Sequence, residues 1–500
     1  MTLRVAATRG RRLVALTAVA ALYAIAVPPM TASTHPGYVH SHTGGPILTP
    51  IPQAENENDL SPRGGKAVAH FPGGRIARKA RVPRARLHVV DGFNAWEPTL
   101  GVHPGGSVFV TAFEGSDLNW QVIRSDDDGD TWNSVGPGPG GGPTRTHVAS
   151  LDPYIYIDGS SDGDSARIYT VDLYVGCSFL SYSDDKGDTW VTNPAACGQP
   201  ANDHQTLFAG PPISSTTIGY HNVVYYCWND IARPGAGCSK SLDGGLTFVP
   251  VGRPFEAPDC DQATGHGHVG PDGTVYLPRS NCQPELSISK DEGATWEVVQ
   301  VADTGAAEYH EAGVVADKAG NVYFMWMGMD RLPYLAVSRD GGKTWGKPMQ
   351  VGAPGLVEAN LPTIAIGRNG RVAIAYMGST NSPGAPWDFG GCLPGCDEVP
   401  VSYAPVTWNG YIGMTTNALA KRPLFYSAAV NDPSDPLVRG TCGPGRCAPV
   451  GDFIDVVIGP DGSPWGVFVD GCVVKCSKEQ VANDASLAIV GRLVGGPPLL

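Results

Sequence analysis

The chain is organised around an eight-residue stretch, Ser338-Arg339-Asp340-Gly341-Gly342-Lys343-Thr344-Trp345. The same pattern, Ser-x-Asp-x-Gly-x-Thr-aromatic, occurs four more times, at Ser125–Trp132, Ser183–Trp190, Ser241–Phe248 and Ser289–Trp296. Each octet predicts a β-hairpin turn, because its Asp can accept hydrogen bonds from amides of its own turn and its Gly supplies a positive φ. The Thr and the aromatic residue then begin the outgoing strand. The motif therefore predicts a structural role, not a catalytic one.

Around the octets the chain repeats a larger unit: a strand with a polar start, a Gly-rich turn, an apolar second strand, and a third strand. The clearest second strands are Val108–Phe113, Ile168–Tyr174, Val223–Tyr226, Val275–Leu277, Val322–Trp326 and Val372–Tyr376. A seventh unit begins at Phe453–Ile458 and ends at Ala485–Leu493. Such repeats predict an all-β chain folded as a β-propeller. Counting second strands gives seven blades; the alternative is six, with the seventh unit and a strand at Arg84–Val90 sharing one blade.

The octets resemble the Asp-boxes, or bacterial neuraminidase (BNR) repeats, of the sialidase superfamily, and the resemblance covers most of the chain from about Glu97 on. It implies a propeller that acts on glycans, as a glycoside hydrolase of the exo-sialidase type. Sialidases hold the sialate carboxylate with three arginines, the first in an Arg-Ile-Pro motif. Here Trp96 and Glu97 take the place of that arginine, and Arg124, Arg279 and Arg331 cannot be assigned as a trio. A glutamate at this place argues against sialic acid as the substrate.

The first strand of each unit starts with polar residues, and in a propeller these starts converge on the axis at one face. The residues at these positions are Trp96, Glu97, Asp152, Asp203, His204, His266, His268, His310, Glu311, Glu358, Asn360, Asp452 and Asp455. Carboxylates can act as acid and base, histidines can shuttle protons, and Trp can stack on a pyranose. The alternative is that these residues line a wet channel and cap strand ends.

We therefore expect a carbohydrate site at this face, with two carboxylates acting on a glycosidic bond. The catalytic candidates are Glu97, Asp152 and Glu311. The binding candidates are Trp96, His204, His266, His268, His310, Asn360 and Asp452. Two alternatives remain open: a non-catalytic propeller that binds carbohydrate or protein at the same face, and a lyase that uses the histidines with a metal.

One acidic loop, Asp158–Ser165, offers oxygen atoms at short spacing. Its Asp158, Asp162 and Asp164 are candidate calcium ligands, since calcium prefers carboxylate and carbonyl oxygens. The loop does not follow the EF-hand pattern, and Asp-Gly-rich turns are common without a metal. No other cofactor is expected, because the sequence lacks a phosphate-binding Gly-rich loop, a His-Glu-x-x-His motif and a Gly-x-Ser-x-Gly elbow.

Composition limits the function further. The 500 residues include 65 Gly and 44 Pro with 17% charged residues, which fits many short strands and turns. The formal net charge of -13 argues against nucleic acid and anionic membranes as partners. The expected partner is a carbohydrate or glycoprotein, and the expected state is a monomer.

The beginning of the chain predicts export. Residues 1–32 have the order of a signal peptide: arginines up to Arg12, an apolar run at Leu13–Val27, and small residues up to Ala32. Residues 33–84 are rich in Pro, Gly and small polar residues without periodicity, which predicts a flexible leader, and 85–500 form the propeller domain. No stretch has a comfortable length for a transmembrane helix. The mature chain is expected to be secreted; an uncleaved anchor is the alternative.

The cysteine pattern agrees with export. Twelve cysteines fall into neighbouring pairs, Cys177/Cys197, Cys227/Cys238, Cys260/Cys282, Cys392/Cys396, Cys442/Cys447 and Cys472/Cys476. An even number after an export signal predicts disulfides. Local pairing is the hypothesis, and zinc binding at the shortest spacings is the alternative.

Overall fold

The computed structural model describes residues 64–78, 80–114, 120–137, 152–159, 166–173, 178–193, 202–230, 233, 235–256, 264–280, 283–305, 311–382, 406–439, 450–472 and 486–500. All regular secondary structure in these ranges is β-strand, in six antiparallel sheets. The all-β prediction is therefore confirmed. Within the same ranges, no helix has the length and hydropathy needed to cross a membrane.

The strands are grouped here under the repeat units of the sequence, with three strands ahead of the first unit, and they pair into six sheets. Those three are β1 (Val68–Phe71), β2 (Arg75–Ile76) and β3 (Arg84–Asn94). Unit 1 has β4 (Leu100–Val102), β5 (Val108–Glu114), β6 (Trp120–Ser125) and β7 (Asn133–Gly136). Unit 2 has β8 (Tyr154–Asp158), β9 (Arg167–Asp172), β10 (Phe179–Ser183) and β11 (Val191–Asn193). Unit 3 has β12 (Asn202–Gly210), β13 (Val223–Asp230), β14 (Gly235–Ser241), β15 (Val249–Pro250) and β16 (Phe255–Glu256).

The remaining four units continue the same order. Unit 4 has β17 (His268–Val269), β18 (Val275–Arg279), β19 (Glu285–Ser289) and β20 (Glu297–Gln300). Unit 5 has β21 (Gly313–Ala316), β22 (Val322–Met327), β23 (Pro333–Ser338) and β24 (Met349–Gln350). Unit 6 has β25 (Glu358–Ile366), β26 (Val372–Ser379), β27 (Thr407–Thr415), β28 (Phe425–Ala429) and β29 (Val438–Arg439). Unit 7 has β30 (Asp455–Ile458), β31 (Pro464–Asp470) and β32 (Leu487–Val494).

Each octet forms the turn after the third strand of its unit, as predicted. In the octet of unit 3, Asp243 Oδ1 accepts from the Thr247 N–H at 2.9 Å and Oδ2 accepts from the Thr247 hydroxyl at 2.6 Å. The Ser241 hydroxyl oxygen accepts from the Gly245 N–H at 2.8 Å, and Gly245 has a φ of 102°. The other four octets repeat these contacts. The hydrogen bonds span only four residues, so the octet sets the turn locally.

The first strands of the seven units pack on one another in chain order. β4 contacts β8, and the contacts continue through β12, β17, β21 and β25 to β30, which contacts β4. Glycine permits this close approach: a Cβ on Gly101 of β4 would lie 2.6 Å from the Ile157 side chain of β8. A Cβ on Gly313 of β21 would likewise lie 2.6 Å from Ile364 of β25. The polar starts of these strands are thereby gathered at one face.

The apolar core lies between neighbouring sheets. One cluster joins Tyr169 and Val171 of unit 2 to Val224 and Trp228 of unit 3. Another joins units 4 and 5 in the same way. Each sheet therefore buries its faces against the sheets before and after it, which is the energetic reason for stacking the units.

The predicted strand near Arg84 completes the last unit. β3 pairs with β32 from Arg84↔Val494 to Val89↔Ile489, so that β30, β31, β32 and β3 form a four-stranded set. The far end of β3 also pairs with β5, which joins this set to unit 1 in one eight-stranded sheet. An N-terminal strand thus closes the unit that the C-terminal residues build.

The segment just before β3 is also folded. β1 and β2 lie inside residues 33–84, which the sequence predicts to be a flexible leader, but β1 pairs with β28 and extends the sheet of unit 6. His70 of β1 is buried and lies 2.9 Å from the Ser427 hydroxyl through Nε2. Described strands are therefore present upstream of residue 85, where the propeller domain is predicted to begin. Residues 1–63, with the predicted signal peptide, lie outside the described residues.

One predicted disulfide is confirmed, Cys227–Cys238, which joins directly opposed residues of β13 and β14. Cys472 is also disulfide-bonded. The other predicted cysteine positions lie outside the described residues: Cys177, Cys197, Cys260, Cys282, Cys392, Cys396, Cys442, Cys447 and Cys476.

Candidate functional site

Three units begin on a strained backbone. Glu97, His204 and Leu361 precede the same short pattern, Pro or Gln, then Thr, then Leu or Ile. Their φ angles are 51°, 54° and 55°, in the left-handed region that non-glycine residues rarely adopt. β12 and β25 carry a register shift at this point. Each such residue costs about 1–3 kcal/mol and persists only where its surroundings hold it, which is typical of binding and catalytic sites.

Glu311 lies at the centre of the site, between two histidines. Its Oε1 lies against Nε2 of His204, and its Oε2 is 3.9 Å from Nε2 of His266. The side chains of Glu311, His204 and His266 are only 8%, 11% and 19% exposed. The starts of units 3, 4 and 5 therefore bring three of the predicted residues together in one buried group.

Aromatic rings close this group. Phe453 meets His204 edge-on with ring centroids 5.4 Å apart, and it meets His266 in the same way at 5.7 Å. Tyr154 packs edge-on against His266 at 4.9 Å. These contacts restrict the orientation of both imidazoles and keep bulk water away from them.

Two aspartates from other strand starts complete the site. Asp152 Oδ2 accepts a hydrogen bond from the His204 N–H at 2.9 Å, and the Asp152 carbonyl oxygen accepts from Gln205 Nε2. Asp455 Oδ2 accepts from the Leu100 N–H at 3.3 Å. Asp152 therefore holds the strained strand start that carries His204, and Asp455 ties β30 to β4.

The surroundings of Glu311 favour its protonated form. Burial raises the pKa of Glu311 to about 8; His204 opposes this shift, and Asp452, Asp152 and Asp455 add to it. Burial alone would lower the pKa of His204, but Glu311, Asp152 and Asp452 outweigh it and the net shift is upward. Because both pKa values are raised, the pair retains a proton at neutral pH.

Burial also acts on the other titratable groups nearby. It raises the pKa of Asp455 to about 7, against two backbone hydrogen bonds. It lowers the pKa of His266 to about 3, with a further contribution from His204, and it lowers the pKa of His268 to about 4. At neutral pH, His266 and His268 are therefore uncharged, and His204 is the imidazole that can carry a proton.

The third catalytic candidate reaches the site indirectly. The Glu97 N–H donates to the Val450 carbonyl oxygen at 2.8 Å, and Glu97 Oε1 accepts from the Asp452 N–H at 2.9 Å. Asp452 is half-buried and precedes Phe453, which packs on both histidines. Asp152 and Glu311 thus join the histidine group directly, and Glu97 is linked to it through the start of unit 7.

The other predicted binding residues have different surroundings. Trp96 packs against Phe113 and Trp120. The buried Asn360 accepts a hydrogen bond from the Leu361 N–H through Oδ1 at 2.8 Å. His310 lies outside the described residues.

A cavity of about 510 Å³ continues from the site between the first strands. Tyr154, His266, His268 and Asp455 line it, together with aliphatic side chains of β4, β8, β21, β25 and β30. His268 thus belongs to the cavity that extends below the Glu311 group.

Sequence reasoning missed the aromatic wall. Tyr154 and Phe453 were not among the candidates, although both stand at strand starts, in Asp152-Pro153-Tyr154 and in Asp452-Phe453. The sequence did offer a signal: in both places an aromatic residue lies close to an aspartate at the start of a first strand. Asp455 belongs to the predicted set of polar residues at strand starts, but it was not among the catalytic or binding candidates.

The described part of the acidic loop is already hydrogen-bonded. Asp158 Oδ2 accepts from the Tyr220 hydroxyl at 2.5 Å and from Asn222 Nδ2 at 2.7 Å. Asp162 and Asp164 lie outside the described residues. Among the residues that are described, no group of three or more His, Cys, Asp or Glu side chains has the geometry of a metal site. Calcium binding stays a prediction.

The three arginines considered for a carboxylate clamp are all engaged by acidic side chains. Arg331 Nη1 is 2.9 Å from Glu358 Oε1, and Arg279 pairs with Glu285. Arg124 contacts Asp126 and Asp188 at 2.9 and 2.8 Å.

Comparison with known proteins gives structural neighbours only. No family model and no curated protein matches the chain. A Hadza microbial sialidase is 19% identical, over 61% of this chain and 68% of that one, with a TM-score of 0.39. The Aleuria aurantia lectin, solved with Fucalpha1-6GlcNAc, is 10% identical, over 65% of this chain and 93% of that one, with a TM-score of 0.39. The Penicillium chrysogenum alpha-L-arabinanase is 12% identical, over 63% of this chain and 94% of that one, with a TM-score of 0.36. Similarities this low support no argument about activity.

Proposed function

We propose that this chain is a secreted seven-bladed β-propeller that acts on glycans as a glycoside hydrolase, with Glu311 as its general acid. The circular order of contacts among the first strands supports the propeller. The seven successive first strands support seven blades, whereas the sharing of one sheet by β30, β31, β32, β3 and unit 1 is the arrangement that the six-bladed alternative describes. The order of the first 32 residues and the Cys227–Cys238 disulfide support export.

The observation that carries the enzymatic proposal is the buried carboxyl of Glu311, in contact with His204 and near other carboxylates, whose surroundings raise its pKa. Cleavage of a glycosidic bond needs an acid whose pKa is raised and a second carboxylate that stays ionised. Glu311 gives its proton to the leaving oxygen as the glycosidic C–O bond breaks. Asp152, the second carboxylate, either bonds to the anomeric carbon until water displaces it, or takes a proton from the attacking water. Water supplies the hydroxyl of the released sugar, and its remaining proton returns to Glu311, with His204 in contact to relay it.

We infer a neutral sugar as the substrate. Asp152, Asp452 and Asp455 lie around Glu311, and in their ionised form these three would repel the carboxylate of sialic acid. Arg124, Arg279 and Arg331 are each paired with an acidic residue and offer no clamp. Exo-sialidase activity is therefore the less favoured form of the proposal.

A non-catalytic glycan-binding propeller is the second candidate. The low exposure of Glu311 and His204 favours it, because groups that are buried and paired can serve the structure alone. The two candidates differ in whether a bond is broken, so turnover separates them.

The test uses protein collected from the medium of an expressing host, so that the mass of the chain also tests export and cleavage near Ala32. It is screened against 4-methylumbelliferyl glycosides, sialate included, with and without calcium. We expect release from a neutral sugar, and we expect Glu311→Gln to lower kcat/KM by about 10²- to 10⁴-fold, the usual contribution of a general acid. Glu297→Gln, on the exposed strand β20, is the matched control and should leave the rate unchanged.

Three outcomes would count against this assignment. Release from the sialate would show that a carboxylate clamp exists elsewhere. Full activity of Glu311→Gln would remove Glu311 from the reaction. Silence across the panel, with binding on a glycan array, would establish the binding propeller instead.

A further inference from the structure

The start of unit 7 is fastened to the start of unit 1 by two hydrogen bonds from one residue. The Glu97 N–H donates to Val450 O at 2.8 Å, and Glu97 Oε1 accepts from the Asp452 N–H at 2.9 Å. Glu97 is 2% exposed and Val450 is fully buried. The bond to Glu97 Oε1 uses the buried side chain and the other joins two backbone groups, and both connect residues that are far apart in the chain.

The backbone on both sides of this contact is fitted to it. Glu97 has a φ of 51°, and Gly451 has a φ of 89°. A Cβ on Gly451 would lie 2.3 Å from Cγ of Glu97, so the glutamate side chain occupies the space that any other residue at position 451 would need. Two residues with left-handed backbones therefore pack directly against each other, and the conformation of each depends on the presence of the other.

The fastened segment carries two groups that act on the proposed acid. Phe453 packs on the rings of His204 and His266. The Asp452 carboxylate contributes to the raised pKa values of Glu311 and His204. Small displacements of such groups change reaction rates strongly, even when the displaced residue does not touch the substrate.

We propose that Glu97 is a positioning residue: its carboxylate holds Asp452 and Phe453 against the Glu311–His204–His266 group and takes no part in proton transfer. The proposal rests on the function proposed above, because it assigns a role within the same site. It also separates Glu97 from Asp152 and Glu311, with which the sequence had grouped it.

Two substitutions of Glu97 distinguish positioning from chemistry. Glu97→Gln keeps a carbonyl oxygen that can accept from the Asp452 N–H, but it cannot act as acid, base or nucleophile. Glu97→Ala removes the acceptor. We expect kcat/KM of Glu97→Gln to stay within about threefold of the wild type and that of Glu97→Ala to fall roughly 10- to 100-fold. Loss of turnover in a folded Glu97→Gln protein would overturn the proposal, even if Glu97→Ala does not fold.

A second readout does not depend on activity. NMR of protein labelled with ¹³C in the imidazole of histidine gives the pKa of His204, with His204→Gln to assign its signal. Because Asp452 raises the pKa of His204, Glu97→Ala and Gly451→Ala should lower it, and Glu97→Gln should leave it near the wild-type value. An unchanged pKa in folded Glu97→Ala and Gly451→Ala would overturn the positioning role. If no glycoside on the panel were cleaved, the proposed function would be wrong, but the pKa of His204 could still be measured in each variant.

Discussion

Protonation of Glu311 couples the site to the stability of the whole chain. An unfolded glutamate has a pKa of about 4.3, whereas the folded site raises the pKa of Glu311 to about 8. Between these values the unfolded state has released its proton and the folded state has kept it, so stability falls as the pH rises. The raised pKa of His204 has the same sign: its stabilisation is present below the ordinary value of about 6.5 and is lost as the pH rises through the folded pKa.

Glu311→Gln should therefore flatten the pH dependence of stability. The amide does not titrate, and it also removes the main carboxylate that raises the pKa of His204. Urea unfolding at pH 6 and pH 8.5 should show a smaller loss of unfolding free energy in Glu311→Gln than in the wild type. Glu297→Gln, which is exposed, should behave like the wild type. Equal losses in all three proteins would mean that Glu311 titrates normally in the fold.

For single residues, the sequence predicted which residues lie in the site better than it predicted which of them contact each other. Polar residues at strand starts mark Asp152, His204 and Glu311, because a propeller turns those starts toward its axis. It could not show that His204 meets Glu311, since that contact depends on a left-handed backbone at His204. The sequence also could not show that Glu97 accepts a hydrogen bond from the Asp452 N–H, because the two lie near opposite ends of the chain and only the packing of β30 on β4 brings them together.

Among the elements, the octet hairpins were the most predictable, because their hydrogen bonds stay within a few residues. The octet of unit 4 adds a contact that is not local. Glu292 Oε1 accepts from the N–H groups of Ile213, Ser214 and Ser215 at 2.8, 2.8 and 2.9 Å. Its Oε2 lies 2.9 Å from Lys240 Nζ. This one carboxylate therefore ties the turn of unit 4 to two segments of unit 3.

Glu292→Gln should destabilise the protein. Glu292 is 1% exposed, and the amide would lose the charge that strengthens these hydrogen bonds and would turn a donor toward Lys240 or the three N–H groups. We expect a loss of about 2–4 kcal/mol of unfolding free energy at pH 7, measured by urea titration.

The pH dependence of this effect has a definite sign. Burial opposes the ionised form of Glu292, but hydrogen bonds from Ser215 and Ser214 and from Lys240 outweigh it, and the net pKa is lowered. Its stabilisation is therefore present above the ordinary pKa of about 4.3 and is lost as the pH falls toward the folded pKa. The gap between wild type and Glu292→Gln should narrow below that value. A gap that stays constant down to pH 3 would contradict the assigned ionisation.

For the whole molecule, the N-terminal strand β3 joins the last strands of the chain to the first unit. It supplies the fourth strand of unit 7 and also pairs with β5 of unit 1. The sequence indicated the strand at Arg84–Val90, because its apolar and polar residues suit a sheet. It did not indicate β1 and β2, since Val68–Phe71 is short and is surrounded by Gly and Pro, and only pairing with β28 makes it a strand.

Truncation should locate the boundary of the folded unit. A chain that begins at Gly64 keeps β1, β2 and β3 and should melt within about 2 °C of the chain that begins at Ser33, a shift that corresponds to about 2 kcal/mol for a cooperative unit of this length. A chain that begins at Ala95 loses the fourth strand of unit 7 and exposes the edge of β32, so it should aggregate or melt far lower. Equal melting temperatures for all three chains would show that β3 is dispensable and that its pairing with β32 and β5 is not needed for stability.

The role of Glu311 as general acid is tested by a parallel assay of wild type and Glu311→Gln on the 4-methylumbelliferyl glycosides. We predict that the wild type releases fluorophore from a neutral glycoside, that Glu311→Gln is slower by about 10²- to 10⁴-fold, and that Glu297→Gln matches the wild type. A wild-type protein that cleaves none of the glycosides, or a Glu311→Gln variant that cleaves them at the wild-type rate, would contradict the assignment of Glu311 as the general acid.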